Sequence, residues 1–101
     1  MTSQTITRHV EEDARLCLLT MLYQQNDGHL NDLLCAQFLE AYGHFRSRDW
    51  VRTQLRKMED VGAIRLNEMD TVLIAQITAA GVDHILRKGR VEGIKQPPLG
   101  A

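Results

Sequence analysis

Two amphipathic helical patterns, separated by only a few residues, place the strongest constraint on the fold of this chain. Asn31 provides an N-cap side chain for the first pattern, and Gly43 can take the left-handed backbone conformation that ends it. The apolar residues between them form one stripe at helical spacing: Leu34, Cys35, Phe38, Leu39 and Tyr42. Ser47 provides the N-cap of the second pattern, Gly62 ends it, and its apolar residues share one arc of the helix: Trp50, Val51, Leu55, Met58 and Val61. Two helices joined by such a short glycine-containing turn indicate a helix-turn-helix unit.

The segments on both sides of this unit extend it into one domain. An earlier helix begins with the acidic residues 11–13, which complement the helix dipole. Apolar residues surround most of its circumference, so it is the central helix of the domain, a helix with one face in a subunit interface, or both. After the helix-turn-helix unit, residues 64–66 and 72–77 are rich in β-branched and aliphatic side chains. They predict two short strands joined by a turn at residues 67–71.

A last helix is predicted after the second strand, with Thr78 as its N-cap and Gly89 as its stop. His84 is expected at the surface of this helix. Its core-facing residues, at helical spacing, are Val82, Ile85 and Leu86.

These patterns predict a mainly α fold with a small β-hairpin, namely a winged helix-turn-helix domain with a three-helix core, a two-stranded wing and a C-terminal helix. A chain of 101 residues has room for one core, and the domain is predicted to span residues 11–88. Residues 1–10 are polar without periodicity and are expected to form a flexible N-terminal segment. Residues 89–101 are expected to form an extended tail, because Pro97 and Pro98 cannot continue a helix.

Composition and charge exclude several classes of protein. The formal net charge is −1, so any affinity for a polyanion must come from a local patch. No apolar run approaches the ~20 residues of a membrane span, and the first residues lack the apolar core of a signal peptide. Cys17 and Cys35 are isolated thiols within apolar helical patterns, which favours reduced and buried side chains. A cytoplasmic protein without a membrane partner is therefore expected.

The helix predicted from Ser47 to Gly62 carries its charges against its own dipole. Arg48, Arg52 and Arg56 follow one another at spacings of four residues, and the segment 46–57 holds five cations against one carboxylate. Cations near a helix N-terminus cost about 0.3–1 kcal/mol each, and neighbouring like charges about 0.2–0.5 kcal/mol per pair. An anionic partner facing this helix would offset the cost.

Arginine pairs bidentately with phosphate and with guanine, so double-stranded DNA is the predicted anion. The predicted DNA-binding residues lie on this helix, just before it, and on the first strand of the wing: Arg46, Ser47, Arg48, Arg52, Thr53, Arg56, Lys57 and Arg65.

The tip of the predicted wing favours a different partner. Glu68 and Asp70 are acidic, and Arg65 is the only cation nearby. Carboxylates at a wing tip would repel phosphate. The alternative function is therefore a protein-interaction adaptor that uses the same fold as a scaffold.

The segments SRDWVRTQLRKMEDVGAI and VLIAQITAAGVDHIL, within residues 11–88, resemble the winged-helix domains of arsenic-repressor-type regulators. The whole chain also resembles small winged-helix proteins of Mu-like phages and prophages. This resemblance implies a phage setting, and it places five residues on a recognition helix: Ser47, Arg48, Arg52, Thr53 and Arg56. The sequence departs from the metal-sensing regulators in lacking their Cys-x-Cys motif.

Neither a metal nor another cofactor is expected. The four histidines show no ligand spacing, and Cys17 and Cys35 lie on separate helices, whereas a zinc site needs about four converging ligands. No phosphate-binding glycine loop, nucleophile elbow or HExxH motif is present, so no enzymatic activity is expected. The resemblance implies a phage or prophage setting, and the basic helix predicts a DNA-binding protein, a transcriptional regulator that acts as a homodimer. The alternative is an adaptor that binds another phage protein during assembly or DNA packaging.

Overall fold

The computed structural model describes residues 3–99, which form four α-helices and a three-stranded antiparallel sheet. The elements are α1 (Ser3–Gln24), β1 (His29–Asn31), α2 (Asp32–Leu39), α3 (Arg48–Asp60), β2 (Ile64–Met69), β3 (Val72–Ile77) and α4 (Ala79–Ile85). A short 3₁₀ turn, Glu40–Tyr42, extends α2.

The sheet contains one strand more than the sequence predicted. Strands β2 and β3 form the predicted antiparallel hairpin, and their pairing continues to Met69 opposite Val72, so its turn is shorter than residues 67–71. Strand β1 pairs with the other edge of β3, and the sheet order is β1-β3-β2. Three residues are too few to show strand alternation in a sequence. Leu30 of β1, just before the N-cap Asn31, is buried in the core.

Helix α1 begins at Ser3, eight residues before the predicted start at Glu11. The residues expected to form a flexible segment are therefore helical from Ser3 onward. Ile6 and Val10 continue the apolar face of the helix by one further turn, at a cavity shared with Trp50 of α3. This cavity between α1 and α3 has no counterpart in the local sequence pattern, which is polar around Ile6 and Val10.

The core forms around α1. Leu18, Leu19 and Leu22 are fully buried, and this helix contacts α2, α3, β3 and α4. Leu55 of α3 and Leu73 of β3 are equally buried on the elements around it. The position agrees with the central-helix interpretation of its apolar circumference.

The predicted caps are confirmed. Asn31 Oδ1 accepts a hydrogen bond from the N–H of Leu34 at 2.8 Å, and Ser47 Oγ accepts one from the N–H of Trp50 at 3.1 Å. Gly43 follows the extended α2 with a φ of 90°. Each cap needs only residues within one helical turn of it, so local sequence is sufficient to predict it.

Helix α4 differs from its prediction in its end and in its buried face. It ends at Ile85, and Arg87 rather than Gly89 takes the left-handed conformation, with a φ of 59°. Leu86 is exposed, and His84, expected at the surface, is only 1% exposed. The Nδ1 atom of His84 accepts a hydrogen bond from a backbone N–H, so Nε2 carries the proton and donates to a backbone carbonyl. The buried ring is thereby fully satisfied.

Those two backbone partners of His84 belong to the C-terminal segment, Val91 and Lys95. Residues 89–99, the described part of this segment, form no helix or strand, as expected, but Val91 and Ile94 are buried in the core. Arg15 of α1 holds the same segment, since its Nη1 donates to the carbonyl of Gly93 at 2.7 Å. The predicted domain boundary at residue 88 therefore omits part of the core.

Gly81 is required by packing and not by its backbone conformation. A Cβ at this position would lie 2.4 Å from the carbonyl oxygen of Ala63 and 2.8 Å from Cγ1 of Ile77. Helix propensity alone would favour alanine here by about 1 kcal/mol. A backbone oxygen cannot move aside as a flexible side chain can. The steric clash therefore outweighs the gain in helix propensity, and the net effect of a Cβ at this position is destabilising.

We therefore expect Gly81→Ala to lower the free energy of unfolding by about 1–3 kcal/mol, measured by urea denaturation. Gly89→Ala is the matched control, because a Cβ at Gly89 would make an ordinary 3.5 Å contact with the Cβ of Asp83. Equal stability of Gly81→Ala and the wild type would contradict the close approach of α4 to Ala63.

Candidate nucleic-acid interface on the third helix

Helix α3 packs between α2 and strand β2 of the hairpin, and it also contacts α1. Val51, Leu55 and Met58 are fully buried, as the apolar arc of the sequence predicted, whereas Val61 at the end of that arc is exposed. Gln54 is also buried, and its Oε1 accepts a hydrogen bond from Nε of Arg15 on α1. The helix is thus fixed on three sides, and its remaining face is open to solvent.

Arg48 and Arg52 converge on a carboxylate that the sequence analysis did not single out. Nε of Arg48 lies 2.8 Å from Oδ2 of Asp32, and Nη1 of Arg52 lies 3.2 Å from the same oxygen. Asp32 opens α2 and is fully buried. Its Oδ1 also accepts a hydrogen bond from the backbone N–H of Leu73 on β3 at 3.2 Å. One carboxylate therefore joins α2, α3 and the sheet.

The same two arginines bind the turn of the hairpin. Nη2 of Arg48 donates to the carbonyl oxygen of Thr71 at 2.6 Å, and Nη1 of Arg52 donates to it at 3.0 Å. The hairpin is therefore attached to α3 through its turn as well as through its strands. Arg48 and Arg52 lie near the N-terminus of their helix, where positive charge is unfavourable. The carboxylate of Asp32, in the same chain, offsets this cost.

The surroundings of Asp32 keep it ionised. Burial raises its pKa, but the hydrogen bonds from Arg48 and Leu73 and the charges of Arg48 and Arg52 outweigh burial, and the net result is a lowered pKa. Burying a carboxylate is costly unless it is paired and hydrogen-bonded. Asp32 meets both conditions, so it contributes to stability while it is charged.

The other predicted DNA-binding residues lie apart from this cluster. Arg56 is exposed and pairs with Glu68 of β2 at 3.2 Å, and Lys57 lies 3.6 Å from Glu11 of α1. The guanidinium of Arg46 stacks over the Trp50 ring at 4.8 Å from its centroid, a contact worth about 0.5–1 kcal/mol at an exposed site. The structure therefore does not bring the predicted cations together on one free surface.

The remaining predicted positions are accessible. Ser47 is exposed just before α3, Thr53 is exposed on α3, and Arg65 is exposed on β2. Asp70, at the turn of the hairpin, is exposed as well and takes a left-handed conformation with a φ of 56°. The outward surface around α3 thus combines cations, hydroxyl groups and carboxylates.

No sequence signal identified Asp32 as the partner of α3. It follows Asn31 in the first turn of α2, where a carboxylate is explained by the helix dipole alone. Its contacts with Arg48 and Leu73 join residues separated by 16 and 41 positions. Such contacts depend on how the helices pack.

None of the helices within residues 3–99 is long and apolar enough to span a membrane.

We expect Asp32→Asn to lower the free energy of unfolding by roughly 3 kcal/mol at pH 7, because it leaves two arginines without their carboxylate. The lowered pKa means that the wild-type carboxylate stabilises the fold above the pKa of an unfolded aspartate, about 3.9. This stabilisation is lost as the pH falls through the lower pKa of the folded state. The difference between variant and wild type should therefore shrink below about pH 4.

Urea denaturation between pH 3 and pH 7 measures this difference. Asp60→Asn, at the exposed end of α3, is the matched control and should change stability by less than about 0.5 kcal/mol. A stability difference for Asp32→Asn that does not vary with pH would contradict an ionised, stabilising carboxylate.

The chain is related to two known proteins. It is 31% identical to the uncharacterized protein gp26 of Escherichia phage Mu over 86 residues, which cover 85% of this chain and 88% of that protein. It is 35% identical over 74 residues to an uncharacterized protein of Haemophilus influenzae, and these residues cover 68% of each chain. No protein-family model and no solved structure matches the chain. The predicted relation to Mu-like phage proteins is thereby confirmed, and the chain belongs to the family of the phage Mu protein gp26.

Proposed function

We propose that this protein is a winged helix-turn-helix protein that binds duplex DNA in Mu-like phages and prophages, where it acts as a regulator. The observation that carries the proposal is the placement of α3, which follows α2 across a tight turn and lies against a two-stranded hairpin. In helix-turn-helix proteins, the second helix enters the major groove. The additional strand β1, paired to β3, adds support, since it ties the hairpin to the start of α2.

The proposal divides the predicted site into two groups with different tasks. Arg48 and Arg52 position α3 and the hairpin through Asp32 and Thr71, so they set the geometry of the interface. The contacts with DNA fall to the exposed residues around them: Arg46, Ser47, Thr53, Arg56, Lys57 and Arg65.

The ion pair between Arg56 and Glu68 competes directly with phosphate. Both side chains are more than half exposed, and such pairs contribute about 0–1 kcal/mol. A phosphate can therefore replace Glu68 as the partner of Arg56 at little cost. Because one protomer offers few cations, we propose that a homodimer binds two half-sites about one DNA turn apart.

Substitutions of Arg56 and of Glu68 are expected to change DNA affinity in opposite directions. Arg56→Gln should weaken binding of a fluorescein-labelled random duplex and reduce the slope of log affinity against log salt by ~0.9 per lost phosphate contact. Glu68→Gln should strengthen binding, because it releases Arg56 and removes a carboxylate from the hairpin. Fluorescence anisotropy at increasing salt concentrations measures both.

The matched control is Lys88→Gln, which removes the same charge from the segment after α4, an element that packs on α1. Absence of duplex binding at low salt would refute the proposal. So would equal losses of affinity in Arg56→Gln and Lys88→Gln.

A second candidate function is favoured by exposed aromatic side chains. Phe38, Tyr42 and Phe45 lie within eight residues of one another on α2 and the following turn, and Phe45 is 74% exposed. Exposed aromatic residues are enriched at protein interfaces. Arg48, Arg52 and Arg56 already pair with carboxylates of the same chain, which weakens the case for a nucleic-acid partner. As the alternative, we propose an adaptor that binds a protein of phage assembly or DNA packaging.

Pairwise co-purification with the assembly and packaging proteins of a Mu-like phage tests the alternative. The adaptor function predicts that Phe45→Ser abolishes binding of one such protein and that Arg56→Gln leaves it intact. The regulator function predicts that Arg56→Gln weakens duplex binding and that Phe45→Ser leaves duplex binding intact. Co-purification that survives Phe45→Ser would contradict the alternative.

A further inference from the structure

A cluster of three potential metal ligands lies where α1 meets the turn that precedes α3. Asp13 and Cys17 are one helical turn apart on α1, and His44 belongs to the turn. One ligand atom from each residue lies within 4.8 Å of the others. Oδ2 of Asp13 is 2.7 Å from Nε2 of His44 and 3.9 Å from Sγ of Cys17. The cluster is separate from the Asp32 cluster and from the exposed face of α3.

The cluster borders a solvent-open cavity of about 500 Å³. Asp13 and His44 line it together with His9, one turn earlier on the same face of α1. Cys17 is half-buried, and its Sγ lies 3.9 Å from Oδ2 of Asp13. An ion could therefore enter from solvent and still meet a sheltered thiol.

We propose that Asp13, Cys17 and His44 form a binding site for a divalent transition-metal ion with the coordination preferences of zinc. Sulfur, imidazole nitrogen and carboxylate oxygen are the ligands that zinc takes in proteins. A tetrahedral zinc ion separates its ligand atoms by about 3.5 Å. To reach this geometry, Oδ2 of Asp13 and Nε2 of His44 would move apart, and Sγ of Cys17 would move closer to Asp13. The fourth position faces the cavity and is left for water or for His9.

The charges of the cluster fit such an ion. Burial and the nearby charge of Asp13 together raise the pKa of Cys17 to about 11, so the metal-free thiol is neutral. Binding displaces the thiol proton to solvent, and the resulting thiolate and the Asp13 carboxylate balance the two charges of the ion. Nε2 of His44 carries a proton that it donates to Asp13 in the metal-free protein, so binding breaks this hydrogen bond and the imidazole takes the tautomer protonated on Nδ1, which leaves Nε2 free to coordinate.

Neighbouring charges can adapt to the ion. Burial raises the pKa of Asp13, but hydrogen bonds from His44 and Lys95 and the charges of those residues outweigh it, so the carboxylate is already ionised. Nζ of Lys95 lies 3.2 Å from the other carboxylate oxygen and is exposed, so it can withdraw into solvent. Glu12 and Arg90, which also line the cavity, carry opposite charges.

A bound ion would attach α1 to the turn between α2 and α3. His44 lies between Gly43, which takes the left-handed conformation, and the N-cap Ser47. Metal binding would therefore fix the start of α3 relative to the central helix. The metal site does not depend on DNA binding by α3, since it consists only of these donor atoms and the cavity.

Titration of the metal-free protein with Co²⁺ tests the site, because a cobalt–thiolate bond gives a charge-transfer absorption. We expect saturation at one equivalent, loss of this absorption in Cys17→Ser, and at least roughly tenfold weaker binding in His44→Gln and Asp13→Asn. The matched controls, His29→Gln and Cys35→Ala, should bind as the wild type does. Saturation by Zn²⁺ should displace the cobalt.

A second measurement uses the wild-type protein and does not depend on the folding of the variants. Stoichiometric Zn²⁺ should protect Cys17 from alkylation by iodoacetamide, mapped by mass spectrometry, and a chelator should restore the reaction. The proposal is overturned if cobalt gives no thiolate absorption and zinc gives no protection. It is also overturned if folded Cys17→Ser or His44→Gln protein binds the ion as tightly as the wild type.

Discussion

A single buried carboxylate, that of Asp32, holds together the half of the molecule that contains α2, α3 and the hairpin. It accepts hydrogen bonds from Arg48, from Arg52 and from the backbone of Leu73, so three elements meet at two oxygen atoms. Because a buried charge is tolerated only with complete pairing, none of these elements can shift without leaving a polar group unsatisfied. The pairing also locates the Thr71 turn, which the two arginines bind directly.

This interaction changes the meaning of the basic third helix. Arginines that oppose the dipole of their own helix suggested an external polyanion, and two of them have an internal anion instead. What is left for a nucleic acid is a smaller set centred on Arg56, whose exposed pair with Glu68 is weak. A duplex-binding function thus depends on affinity from few contacts per protomer, and an adaptor function depends on the exposed aromatic residues nearby.

The turn between α2 and α3 connects these separate features. Its left-handed Gly43 and the cap at Ser47 position α3, while His44 reaches back to Asp13 on α1. Family membership with the phage Mu protein gp26 supplies the biological setting for the whole chain. The cluster of Asp13, Cys17 and His44 gives the same turn a chemical group through which an ion could influence α3.

The sequence by itself determined the features whose physical causes lie within one helical turn. The caps at Asn31 and Ser47 and the buried stripe of α3 depend on near neighbours, and the sequence predicted them. Tertiary structure alone decided the pairing of strand β1, the burial of His84 and the convergence of Arg48 on Asp32. It also brought together Asp13 and His44, which are 31 positions apart. These contacts join distant residues and exist only once the helices have packed, so no local pattern of residues encodes them.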